Sequence, residues 1–161
     1  MPQSATFTPQ DRIHPRPMKA HDLGKVYALE VQCQPYPWPQ WLFRRQLRRN
    51  ASCWVLELGD EIVAFGIVAI TNNRAHIMNM CVASQYRRHG LGRRLMRQLL
   101  ATAKHHHAHY AWLEVRRTNQ TAIQLYRALG FRQKEIRRHY YRTRRGRENG
   151  ITMVAQLRKQ L

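Results

Sequence analysis

Acidic residues are scarce: 9 Asp and Glu stand against 28 Lys and Arg in 161 residues, a formal net charge of +19. That balance fits either attraction to polyanions such as RNA, a ribosome surface or cofactor phosphates, or a solvated basic surface that aids solubility. Cysteine is scarce too. Cys33, Cys53 and Cys81 form no CxxC pair and no metal-ligand spacing, which predicts three reduced, mostly buried thiols and no metal site. No apolar run approaches a membrane span, and Met1 to Gln10 is polar and Pro-containing, without the apolar core of a signal peptide. These absences predict a soluble cytoplasmic protein with no membrane contact. The length fits one domain that folds alone, expected over residues 11–161 behind a frayed tail, 1–10.

The pattern along the chain is mixed. Ile13 to Met18 reads as an edge strand interrupted by Pro15 and Pro17. A helix follows from Asp22, with Val26, Leu29 and Val31 as its apolar positions. The three prolines of Gln34-Pro35-Tyr36-Pro37-Trp38-Pro39 impose an aromatic loop before a second helix over 40–49. Strands are expected over 52–58, 62–70 and 75–82, joined by turns at Gly59-Asp60-Glu61 and Thr71-Asn72-Asn73.

The period then changes to nearly four. Leu91, Leu95 and Leu99, flanked by Met96, Leu100 and Ala103, describe one helical stripe. The His105-His106-His107-Ala108-His109 run falls where that helix ends and reads as a loop. Tyr110 to Val115 follows as a strand with Trp112 and Glu114 on one face. Ala122, Leu125, Tyr126 and Leu129 mark another helix, closed by Gly130. Two last strands, 135–141 and 151–157, flank a basic turn over 142–150.

Two constellations carry chemistry. Arg87-Arg88-His89-Gly90-Leu91-Gly92 stands where a strand gives way to a helix, with Arg93 and Arg94 adding positive charge. Its glycines permit close backbone approach, and the helix start offers unpaired N–H groups and a positive dipole end, an arrangement suited to pyrophosphate. It is neither a Walker loop, because no Gly-Lys-Ser/Thr follows, nor a Rossmann fingerprint, because Leu95 occupies the third glycine position. The second is Glu114 on a short strand, Asn119 at the next helix start, and Tyr126 within that helix. A carboxylate and a phenol so placed can supply the general base and general acid that amine acylation needs. From pattern alone, Tyr126 also fits a core position and Glu114 an arginine partner.

The runs MCVASQYRRHGLGRRLM and LEVRRTNQTAIQLYRALGF resemble the GNAT acetyltransferases. The continuation EIRRHYYRTRRGRENGITM resembles their RimI-type branch, whose members acetylate the N-terminal alanine of a small-subunit ribosomal protein. The likeness spans about Met18 to Leu157. It implies an α/β fold, one mixed sheet with splayed central parallel strands and about four helices. It also implies acetyl-CoA as co-substrate, no metal, and a protein or peptide N-terminus as acceptor. Met80, Cys81 and Val82 correspond to the strand whose backbone holds the thioester and pantetheine. Arg88, His89, Gly90, Leu91, Gly92 and Arg93 correspond to the pyrophosphate loop, and Asn119 to a cofactor contact. Glu114 takes the position of the general base and Tyr126 that of the acid that protonates the leaving thiolate. Cys81, close to the thioester on this mapping, leaves a covalent alternative. Ala83-Ser84-Gln85 replaces the family's proline-containing acidic turn. A lysine side chain or a small amine as acceptor, or a ribosome- or RNA-binding module on the same fold, are the competing readings.

Overall fold

A left-handed Gly59 at the turn folds Ser52–Leu58 (β2) back on Glu61–Thr71 (β3) as an antiparallel pair. The computed structural model describes residues 12–49 and 51–157; the expected N-terminal tail lies outside them. Ile13–Pro17 (β1) pairs with β2 at the sheet edge, where its prolines cost no ladder bonds to a further strand. Arg16 fastens this edge by donating to both Asp22 carboxylate oxygens, at 2.7 and 2.8 Å, and to Glu57.

Residues Ile62 to Val68 of β3 are nearly all buried without alternation, because helices cover both sheet faces. On one face lie Leu23–Cys33 (α1) and Gln40–Arg48 (α2), packed through Val26, Leu29 and Phe43. On the other lies Leu91–His105 (α3), whose Leu91, Leu95, Met96, Leu99 and Ala103 are buried as its stripe predicts. Each such leucine contributes about 2 kcal/mol of burial.

Arg74–Val82 (β4) pairs antiparallel with β3, and α3 carries the chain over to Tyr110–Arg116 (β5), parallel to β4. Gln120–Ala128 (α4), Arg132–Thr143 (β6) and Gly146–Gln156 (β7) complete the chain. The sheet runs β1-β2-β3-β4-β5-β7-β6, mixed and seven-stranded. Its single parallel contact is short: Arg74 to His76 pair with Tyr110 to Trp112, and beyond them β4 and β5 separate. The expected splay of the central parallel strands is therefore present.

A bulge shapes the β4 side of that fork. Ile67 of β3 opposes Asn79, while Val68 opposes Ile77, so Met78 is the extra residue. Ile77 packs on the α3 side, whereas Asn79 and Cys81 meet α1.

Three expectations are corrected. Val31 is 49 % exposed; at helical spacing from Val26 and Leu29 the inward positions are Glu30 and Cys33 instead. Those positions face β4 after its bulge, and Cys33 is joined to Cys81 by a disulfide, so only Cys53 is a free, buried thiol. The basic segment 142–150 is mostly strand: β6 and β7 run on until Arg144-Arg145 alone makes the turn, with Arg142 opposite Arg147. The histidine run lies at the end of α3 and in the turn before β5, as expected of a loop.

Candidate active site

The loop from β4 to α3 reaches the helix through a short 3-10 turn at Ser84–Tyr86. Arg88 and then Gly90 adopt left-handed backbone, with φ of 66° and 75°, and Gly90 is the N-cap of α3. The first intrahelical bond runs from the Arg94 N–H to the Gly90 carbonyl at 3.0 Å, so the N–H groups of Leu91, Gly92 and Arg93 precede the ladder. A Cβ on Gly92 would stand 3.3 Å from Leu125 Cδ2, which shows how closely α4 covers this turn. His89, Gly90, Leu91, Arg93, Arg94 and Arg97 line a shallow recess at this helix start. The geometry is that of an anion cradle: unpaired donors, a positive dipole end and surrounding guanidinium groups.

Where β4 and β5 part, a cleft of about 310 Å³ opens. Met80, Glu114, Asn119 and Tyr126 all line it, so residues far apart in sequence converge as anticipated. Cys81 is buried against α1 rather than in the cleft, and Val82, at the end of β4, is partly exposed beside the loop. Because the β5 ladder stops at His76, the β4 backbone through Met80–Val82 has no β5 partner and is open to a ligand wedged between the strands. Asn119 caps α4, its Oδ1 accepting from the Ala122 N–H at 3.2 Å, which leaves its amide nitrogen as the donor toward the cleft.

Glu114 and Tyr126 differ in electrostatic setting. The facing ring of His76, 3.8 Å from Nε2 to Glu114 Oε2, holds the Glu114 carboxyl below the usual carboxylate range. Burial opposes this, while Tyr140 and Arg137 assist it. Glu114 is thus ionised at neutral pH and half-shielded from solvent. Burial pushes the Tyr126 phenol up to about 12, so it retains its proton. An ionised carboxylate and a protonated phenol thus share one cleft.

Sequence reasoning missed four contributors. Glu30, wholly buried in α1, accepts from the Asn79 amide of β4 at 2.5 Å and lines the cleft floor. Desolvation raises its pKa, against the Asn79 bond and the Trp38 backbone N–H. Tyr140 and Tyr141 of β6 close the opposite wall, and the Arg116 guanidinium lies 4.7 Å from the Tyr141 ring centroid. His76 stacks on Trp112 with ring centroids 3.7 Å apart. The double tyrosine was visible as a motif. His76 and Glu30 carried no local signal, because their partners are set by strand pairing and helix docking.

The splayed mixed sheet, the open helix start of α3 and the carboxylate and phenol lining the fork fit an acyltransferase fold. Residues 23–131 match the model of the Acetyltransferase (GNAT) family, and the chain belongs to that family; it is an N-acetyltransferase. It is 34 % identical over 137 residues, 85 % of this chain and 93 % of the relative, to the [ribosomal protein bS18]-alanine N-acetyltransferase of Escherichia coli K12. It is 29 % identical to the N-alpha-acetyltransferase of Sulfurisphaera tokodaii, covering 74 % of this chain and 80 % of that one. The crystal structure of the ribosomal-protein-S18-alanine N-acetyltransferase from Escherichia coli superposes with a TM-score of 0.87 at 31 % identity, covering 92 % and 96 % of the two chains. Members of the GNAT family use acetyl-CoA. Among the described residues no helix is long and apolar enough to cross a membrane, and no cluster of His, Cys, Asp and Glu is arranged to hold a metal.

Proposed function

We propose that this enzyme transfers acetyl from acetyl-CoA to the α-amine of an N-terminal alanine on a ribosomal protein, directly, within a ternary complex in the cytoplasm. The observation that carries this reading is Glu114 and Tyr126 lining one cleft at the β4–β5 fork, their surroundings reinforcing the ionised carboxylate and the protonated phenol. The likeness to the bS18-alanine acetyltransferase supports the acceptor class.

In this reading the pyrophosphate of acetyl-CoA rests on the Arg88–Arg93 loop, with Gly90 and Gly92 allowing backbone approach and exposed Arg88, His89 and Arg93 facing solvent around it. The pantetheine and thioester lie along the Met80–Cys81–Val82 backbone, and Asn119 donates to the cofactor. Glu114 takes a proton from the acceptor ammonium, directly or through one water. The freed amine attacks the thioester carbon, whose carbonyl oxygen is polarised by a β4 backbone N–H. Tyr126 protonates the departing sulfur and is restored by the second proton that the attacking nitrogen sheds as the amide forms. The disulfide to Cys33 leaves Cys81 without a thiol, which supports direct transfer over an acyl-cysteine route. The +19 charge repels a basic ribosomal protein in general, but the amine meets the ionised Glu114 in the cleft.

The exposed Arg138, Arg142, Arg144, Arg145 and Arg147 at the β6–β7 end support a further contact with ribosomal RNA. Its mark is RNA binding that weakens steeply and linearly with the logarithm of salt.

The reading is tested by mass spectrometry of three acceptors incubated with enzyme and acetyl-CoA. These are a peptide with a free N-terminal alanine, an N-blocked peptide with an internal lysine, and a polyamine. Acetylation confined to the alanine peptide is expected. Modification of lysine or polyamine instead removes the N-terminal assignment.

A further inference from the structure

We propose that His76 is a relay residue that carries the proton collected by Glu114 away from the filled active site into a second cavity. The inference rests on the reading of Glu114 as the base.

Acetylation of an ammonium by a thioester gives an amide, a thiol and one free proton per turnover. During that turnover the acceptor and the cofactor fill the cleft that Glu114 faces, so the direct route to water is blocked. His76 is the last β4 residue paired with β5, opposite Trp112, and therefore sits in the crotch of the fork two residues from Glu114 along the strand direction. Stacking on Trp112, with planes 2° apart, fixes the ring. Its Nε2 is buried, has no hydrogen-bond partner, and stands 3.8 Å from Glu114 Oε2. A buried ring nitrogen left without a partner is costly in a purely structural role.

The rest of the ring opens elsewhere. His76 and Trp112 line a second cavity, of about 490 Å³, bounded by Gln46, Arg49, Thr71, Arg74 and Met78. Glu114, Tyr126 and Asn119 line the first cavity and not this one; Met78 borders both. His76 thus has one nitrogen toward the base, and 26 % of its side chain stays exposed.

The transfer is written with protons conserved. The acceptor ammonium loses a proton to Glu114. With the ring in its Nδ1–H tautomer, Nε2 is free to accept; Glu114 closes the remaining gap by rotation or through one water and passes that proton to His76 Nε2. The ring releases a proton from its other nitrogen to solvent in the second cavity, and a tautomer change resets it. Imidazole suits the step because it exchanges protons near neutral pH. The groups facing the pair are Arg74 on β4, Arg49 and Gln46 from the α2 end, Thr71 of β3, and Tyr140 and Arg137 of β6 beside Glu114.

The test is steady-state kinetics of the full chain on an N-terminal alanine peptide, with His76→Ala, His76→Gln and Glu114→Gln compared. Both His76 variants are expected to lose on the order of 10-fold in kcat with KM for both substrates unchanged. Added imidazole should restore His76→Ala in a concentration-dependent way and leave the wild type unaffected. His76→Gln, close in size, carries the kcat test should the alanine variant fail to fold. If Glu114→Gln retains the wild-type rate, the base assignment itself fails. If Glu114→Gln is inactive while the His76 variants match wild type, or are slowed but deaf to imidazole, the relay is wrong and the base assignment stands.

Discussion

The Asn79 amide donates to Glu30 Oε2 across the gap between β4 and α1, while Glu30 Oε1 is buried with no hydrogen-bond partner. The bond ties the helix that leads into the Trp38 loop to the strand that borders the cleft at the β4–β5 fork. Burial raises the Glu30 pKa above the ordinary carboxylate range.

That direction fixes a pH signature. A carboxyl whose folded pKa is raised stabilises the fold at low pH and loses that contribution as pH rises through the folded value. Glu30→Gln keeps an acceptor for Asn79 and removes the charge. It should therefore gain stability relative to wild type as pH rises from the ordinary carboxylate range toward the raised folded value, read in urea unfolding. A wild type that gains on the variant as pH rises contradicts this account of Glu30.

Asp22 behaves in the opposite sense. Arg16 pulls its pKa down to about 2 from 3.8, with the Lys19 backbone N–H assisting and burial opposing. The ion pair thus contributes above the unfolded pKa and is lost as pH falls through the folded one. Asp22→Asn should cost on the order of 2 kcal/mol at neutral pH, and the difference should shrink in acid. Equal losses at all pH values would assign the effect to packing alone.

Much of this was legible in the sequence, and the gaps have physical reasons. Period and turn chemistry located the strands, the leucine stripe of α3 and the cap at Asn119, all of which depend on neighbours within a few residues. The face of β5 that carries Trp112 and Glu114 followed from alternation. The β4 bulge at Met78 did not, because it inserts one residue only relative to β3. With the bulge unseen, Asn79 and Cys81 had no assigned face. Neither the Glu30 bond nor the Cys33–Cys81 link, 48 residues apart in sequence, was within reach.

The cysteines give a direct chemical check. Unfolded in denaturant without reductant, the chain should show one titratable thiol, Cys53, and three after reduction. Cys33→Ser should lower unfolding stability of the oxidised protein by roughly 2–4 kcal/mol and leave the reduced protein much less affected. Three thiols without reductant would show that the pair is not bonded in solution.

Gly90 tests the cradle. Its φ of 75° is open to glycine and strained for a β-branched side chain. Gly90→Val should weaken acetyl-CoA binding by about 10-fold or more while the rest of the fold persists in circular dichroism. Normal affinity in a folded variant would move the pyrophosphate elsewhere.

The most direct measurement is the kinetics and acetyl-CoA affinity of Glu114→Gln on an N-terminal alanine peptide. The substitution preserves shape and removes the proton acceptor. The account predicts a kcat lower by about 10²- to 10⁴-fold with the acetyl-CoA Kd unchanged. An unaltered kcat would contradict it, because the carboxylate at the β4–β5 fork would then not be the base.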